Sequence, residues 1–239
     1  MSAMTHRGGM QTHQNYRGVP IHAADNVHEV IAALLKQRLP KGARVADIGA
    51  GHGALSLRLQ DMGFDVKAFD LDCSDWMLDS MLCRQCDVNE SIGPVVKEGP
   101  YDAICAIEMI DHLENPRQFL RCLVENAKKG SWIIVSAPNP LDTFSCIAMF
   151  RRGTFAWASP EKYFGGGHIS LLPHWLIEEH LKYLGVVEQE WHFLAPYRHP
   201  AASKKLFYQA IAKMRQLLAR GPGQPFFEGQ TALVIARIS

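Results

Sequence analysis

From Ala43 to Ala137 the chain alternates short apolar runs with stretches of helical periodicity, and few folds accommodate that rhythm. Arg44–Gly49, Val66–Leu71, Tyr101–Ile107 and Ser131–Ala137 read as strands. Ala54–Met62, Ser74–Met81 and Pro116–Ala127 read as helices, the last with Pro in its first turn. Strands this apolar are buried on both faces, so the pattern implies a mostly parallel sheet covered by helices on each side. Upstream, Val27, Val30, Ile31, Leu34 and Leu35 share one helical face after Asp25, an expected N-cap. Residues 1–20 are polar and Gly/His-rich and are expected to be flexible; 21–239 are expected to form one domain.

Past residue 137 the pattern changes. Residues 140–172 are aromatic, irregular and end near Gly165-Gly166-Gly167, which suggests a lid-like insertion. Pro173–Leu184 and Ala202–Arg220 read as helices, Val186–Leu194 and Thr231–Ile238 as strands, giving the sheet a hairpin-like antiparallel edge. Phe144–Phe150, Arg151-Arg152 and Phe155-Ala156-Trp157 mix apolar and basic groups; a packed lid is the favoured reading over a lipid-touching surface. Phe155, Trp157, Tyr163 and Phe164 suit either an aromatic wall for a flat ligand or the core of the insertion. The lysines of the 202–220 helix read as a solvated face.

Composition narrows the function classes. A formal net charge of +1 supplies no long-range field for nucleic acid, and no apolar run is long enough for a membrane helix. There is no apolar segment of the secretory type, so the cytoplasm is the expected location and the six cysteines are read as reduced thiols. Cys83-Arg-Gln-Cys86 is a lone CxxC without a second half-site.

The segment Asp47-Ile48-Gly49-Ala50-Gly51-His52-Gly53-Ala54 leaves a strand and enters a helix. Glycines there let a ligand approach bare backbone at a helix N-terminus. Asp70 ends the next strand, where a carboxylate can take both hydroxyls of a ribose. Gly49, Gly51 and Ala54 alone would also satisfy a nicotinamide fingerprint, so an oxidoreductase stays open on the glycines by themselves.

With Val66–Asp70, Tyr101–Pro116 and Ser136-Ala137-Pro138-Asn139-Pro140 added, residues 43–140 resemble the class I S-adenosylmethionine-dependent methyltransferases, above all the ubiquinone-pathway O-methyltransferase branch. The resemblance implies an α/β, Rossmann-like fold: a seven-stranded mostly parallel sheet with one antiparallel strand and helices on both faces. It implies that Asp47, Gly49, Ala50, Gly51 and Gly53 hold the methionine part of the cofactor. Asp70, beside Leu71, would hold the ribose, and Asp87, beside Val88, the adenine. Ile107 and Glu108 would line the sulfonium. The chain departs from the family pattern in one respect, since only sixteen positions separate Asp70 from Asp87.

Glu108, Asp111 and His112 follow a buried strand, at the sheet end where ligands bind. Two chemical readings compete with a purely structural one. His112 is a general base for an oxygen acceptor, with Glu108 and Asp111 beside it. Alternatively Glu108, Asp111, His112 and His168 hold a divalent metal that acidifies the acceptor. The structural reading has His112 capping the next helix. The expected activity is O-methylation of a small-molecule acceptor, aromatic or apolar. A metal-dependent RNA 2′-O-methyltransferase and a non-catalytic S-adenosylmethionine-binding protein are the alternatives; the near-zero charge argues against nucleic acid. The sequence carries no signal of oligomeric state.

Overall fold

The computed structural model describes residues 14–196, 202–218 and 228–239. A hairpin, β1 (Asn15–Tyr16) and β2 (Val19–Pro20), leads into α1 (Val27–Arg38). Then follow β3 (Arg44–Ile48), α2 (Ala54–Asp61), β4 (Asp65–Asp70), β5 (Cys83–Gln85), α3 (Gly93–Glu98), β6 (Ala103–Ala106), α4 (Pro116–Asn126) and β7 (Trp132–Pro138). The remainder is α5 (Thr143–Arg152), α6 (Pro160–Gly166), α7 (His174–Tyr183), β8 (Gln189–Pro196), α8 (Ala202–Leu218) and β9 (Gly229–Arg237). Residues 1–13 of the expected flexible segment, and 219–220 of the last expected helix, lie outside the described residues.

The seven-stranded sheet has the order β5-β4-β3-β6-β7-β9-β8. The pairs among β3 to β7 are parallel, while β9 runs antiparallel to both β7 and β8. This is the expected mostly parallel sheet with one antiparallel strand. Alternate strand residues feed two cores. Ile104 and Ala106 of β6 join Phe119, Leu120 and Leu123 of α4 and Ile177 and Leu181 of α7 on one face. Ala103 and Cys105 join Ile31 and Leu35 of α1 and Leu55 and Leu59 of α2 on the other. Strands buried on both sides explain why their sequences read as unbroken apolar runs.

Four local readings need correction. The N-cap of α1 is Asn26, not Asp25. The expected 74–81 helix is only a 3-10 turn at Cys73–Asp75. Trp76 Nε1 donates to the carbonyls of Leu78 and Met81, folding the segment on itself. A Cys73–Cys83 disulfide brings the segment's ends to a Cα separation of 5.8 Å, whereas eight helical residues would span roughly 12 Å. That bond also corrects the reading of all six cysteines as free thiols; Cys86, Cys105, Cys122 and Cys146 are free. Finally, residues 140–172 are less irregular than expected. They contain α5, capped by Asp142 Oδ1 accepting from the amides of Phe144 and Ser145, and α6, capped by Ser159.

Candidate functional site

The turn after β3 hangs on β4. The amides of Gly49 and Ala50 both donate to the Phe69 carbonyl, and the Gly51 amide donates to Asp70 Oδ2 at 2.7 Å. Gly49, Gly51 and Gly53 all sit at positive φ. At Gly53 a Cβ would come within 2.9 Å of Leu78 and Trp76, so the 71–82 segment packs directly on the glycine turn. Asp47 is buried below it, where Ser56 Oγ of α2 donates to Oδ2 at 2.6 Å. Burial pushes Asp47 up to about 6, against the Ser56 hydrogen bond and with the help of Asp70.

Above this turn lies a cavity lined by Asp47, Gly49, Ala50, Gly51 and Ile107 together with His22, His28 and His52. Five residues expected from the sequence therefore share one cavity. Gly53, as N-cap of α2, and Asp70, Leu71, Asp87 and Val88, at the carboxyl ends of β4 and β5, lie outside its lining. Leu71 is exposed, Val88 packs against the core, and Asp87 Oδ1 accepts from the Asn89 amide.

Two of these lining residues, His22 and His28, belong to no motif in the sequence. His28 is buried on α1, its Nδ1 has no hydrogen-bond partner, and burial followed by the charge of Arg58 lowers it to about 4. The His22 ring lies 4.5 Å from that of His52, and burial lowers His22 too. No motif could have revealed either, because the β2–α1 segment reaches the glycine turn only through tertiary packing.

The second group of residues follows β6. Ile107 is buried and Glu108 takes φ 52, a strained value for a non-glycine residue. Ser136 Oγ of β7 accepts from the Glu108 amide at 2.9 Å and donates to Glu108 Oε1 at 2.8 Å. Thr231 of β9 also hydrogen-bonds this carboxyl. Burial, then the negative charge of Asp111, pushes Glu108 up to about 7. The Glu108 carboxyl is thus hydrogen-bonded to the sheet, while the other three residues of the expected ligand set gather in a group of their own.

Those three are Asp111, His112 and His168, whose ligand atoms all lie within 4.8 Å of one another. Asp111 Oδ2 meets His168 Nδ1 at 2.5 Å. The rings of His112 and His168 are 4.5 Å apart. Asp111 Oδ1 is buried without a hydrogen-bond partner and lies 4.0 Å from His112 Nε2. His168 arrives because the amides of Ile169 and Ser170 both donate to the Asp111 carbonyl, while Ser170 Oγ donates to that of Leu113. Gly166 is needed there, since a Cβ would come within 2.8 Å of the His168 ring. His112 does not cap α4, whose N-cap is Asn115. Among the four aromatics, Tyr163 and Phe164 are exposed; Phe155 and Trp157 are half-buried.

A family model described as a methyltransferase domain matches residues 21–201. A ubiquinone biosynthesis O-methyltransferase of Xanthomonas axonopodis pv. citri is 30% identical over 128 residues, 50% of this chain and 52% of the relative. One from a Caulobacter species is 28% identical over 132 residues, 50% of this chain and 51% of the relative. The chain spans about half the length of these curated relatives. A solved structure of a SAM-dependent methyltransferase from Archaeoglobus fulgidus superposes with a TM-score of 0.59 at 19% identity, covering 88% of this chain and 94% of that one. This last likeness is one of fold.

Proposed function

Because the chain belongs to the methyltransferase domain family, we propose that it is an S-adenosylmethionine-dependent enzyme that methylates a hydroxyl oxygen of a small acceptor. The observation that carries the oxygen assignment is the Asp111–His168 hydrogen bond with His112 beside it, just past β6. S-adenosylmethionine supplies an electrophilic methyl group. The cavity over the glycine turn suits its amino-acid end: bare backbone at Gly49–Gly51, the N-terminus of α2 and the carboxylate of Asp47 below. Asp70 already braces the turn through the Gly51 amide and has its second oxygen on the Asp72 amide.

An attacking hydroxyl must give up its proton. Asp111 holds His168 by Nδ1, which fixes the ring and leaves Nε2 as the basic nitrogen. This differs from the sequence reading, in which His112 is the base. His112 lies close enough to hold the acceptor oxygen or share its proton. The names of the two relatives, both O-methyltransferases of ubiquinone biosynthesis, support an oxygen acceptor on a small, apolar or aromatic molecule.

One observation favours a second reading. The orphaned Asp111 Oδ1 beside two imidazoles is a donor set that fits a divalent cation. Asp111, His112 and His168 would hold it, and it would lower the pKa of a hydroxyl bound to it. A single assay separates the two. The protein is incubated with S-adenosylmethionine and a panel of phenols, and S-adenosylhomocysteine is measured with and without a chelator. Activity that survives the chelator and falls roughly 10² to 10⁴-fold in His168→Ala supports the base. Activity that the chelator abolishes and one divalent ion restores supports the cation. Turnover of amines but no phenols would remove the oxygen assignment altogether.

A further inference from the structure

Hydrogen bonds within the glycine turn leave a bound amino acid fewer donors than the motif suggests. The amides of Gly49 and Ala50 are taken by the Phe69 carbonyl, that of Gly51 by Asp70 and that of Gly53 by the Ala50 carbonyl. An anion in the cavity above gains little from these four groups. The ionisable residues of the cavity lining are Asp47 on β3 and three histidines: His22 from the β2–α1 segment, His28 on α1 and His52 in the turn itself. The wall is thus acidic at one residue and able to donate hydrogen bonds at three.

His28 differs from the other two. It is 8% exposed, and its Nδ1 is buried without a hydrogen-bond partner. Buried polar atoms seldom stay unpaired, so this one marks a place where the protein alone is incomplete. Arg58 of α2 acts on it as well: the charge that, with burial, opposes an imidazolium there favours an anion beside the ring. Arg58 Nε is itself buried with no hydrogen-bond partner, while its Nη2 donates to Glu29 at 2.6 Å. His22 and His52 lie ring to ring at 4.5 Å on the same cavity. Among the described residues the group whose ligand atoms converge as a metal requires is Asp111, His112 and His168, so the three histidines here do not make a metal set.

Resting on the cofactor reading above, we infer that His28 holds the carboxylate at the amino-acid end of S-adenosylmethionine, with His22 and His52 beside it. An α-amino acid carries its ammonium and its carboxylate on one carbon, so a site for it needs an acidic wall and a donating wall close together. Asp47 takes the ammonium and His28 the carboxylate. A phosphate or a simple carboxylic acid would answer the histidines but face Asp47 unfavourably. An adenosine without the amino acid would answer neither wall. The assignment makes His28 a selectivity residue: a ligand that has lost its carboxylate leaves the buried imidazole without a partner.

The test is titration calorimetry of the full chain with S-adenosylhomocysteine and with its decarboxylated analogue, which keeps the ammonium and the adenosine. The unaltered protein should bind the first about tenfold or more tightly than the analogue. His28→Leu should lose that preference, weakening about tenfold or more for S-adenosylhomocysteine and less than about twofold for the analogue. His28→Gln, which keeps a donor, should retain most of it. A residue that merely packs α1 against the turn would weaken both ligands alike. That result, or equal affinities in the unaltered protein, would overturn the inference and leave the cofactor reading intact. A crystal structure with S-adenosylhomocysteine needs no variant to fold: the carboxylate should lie within hydrogen-bond distance of the His28 ring, and a carboxylate held elsewhere would overturn the assignment. Binding of neither ligand by the unaltered protein would overturn the cofactor reading, and this inference with it.

Discussion

Burial holds His28 neutral, and that has a measurable cost in acid. Its folded value of about 4 lies below the ordinary 6.5. The stability it contributes is therefore complete above about pH 6.5 and is lost as pH falls toward 4. Between pH 7 and pH 5 the loss should reach about 2 kcal/mol. Urea denaturation should show that His28→Gln forfeits less stability over this interval; parallel losses would mean the ring is already solvated. Glu108 carries the opposite sign. Its value is raised from 4.5 to about 7, so stability is lost as pH rises across that range. Glu108→Gln should then melt higher than the unaltered protein at pH 8 and nearly equal to it at pH 4. These two residues show how much a sequence says about a site. The glycine turn was legible because its spacing and its strand–helix context are local. Glu108 was recognised, but its hydrogen-bond partners were not, because Ser136 and Thr231 reach it from other strands. His28 carried no signal, since a histidine on a helix reveals nothing of what the helix is packed against.

At the scale of elements, the segment between β4 and β5 is where the chain departs most from expectation. The sixteen positions between Asp70 and Asp87 already implied something shorter than a full helix and strand. What replaces the helix depends on a bond between Cys73 and Cys83, and cysteine counting does not reveal pairings. Closing a loop of this length contributes about 2–3 kcal/mol. A reductant, or Cys73→Ser, should lower the melting temperature by roughly 5–10 °C. Because Trp76 and Leu78 of the same segment rest on Gly53, affinity for S-adenosylhomocysteine should fall along with it. Calorimetry that shows unchanged affinity after reduction would mean that the glycine turn keeps its shape without this wall. The late antiparallel strands, by contrast, were readable from β-rich runs flanking a helix. Their order in the sheet was not, since neither run states which neighbour it takes.

The whole molecule places its ligand chemistry at one end of the sheet, beyond β3, β4 and β6. A ligand bound there touches both α1 and α2, so it should stabilise the domain as a unit. S-adenosylhomocysteine at a hundredfold excess over its dissociation constant should add about 2.7 kcal/mol, and NAD none. A shift with NAD alone would count against the family's cofactor in this chain. Sheet order has a further consequence, which concerns synthesis. Strand β9 lies between β7 and β8 but is translated after both. Until residues 229–237 emerge from the ribosome, β7 has an open edge and β8 lacks the one strand it pairs with among the described residues. The nascent chain thus carries a nearly finished core with a gap in its middle, a state prone to sticking to other chains. A stop codon placed shortly before Gly229 should yield inclusion bodies, not a shorter enzyme.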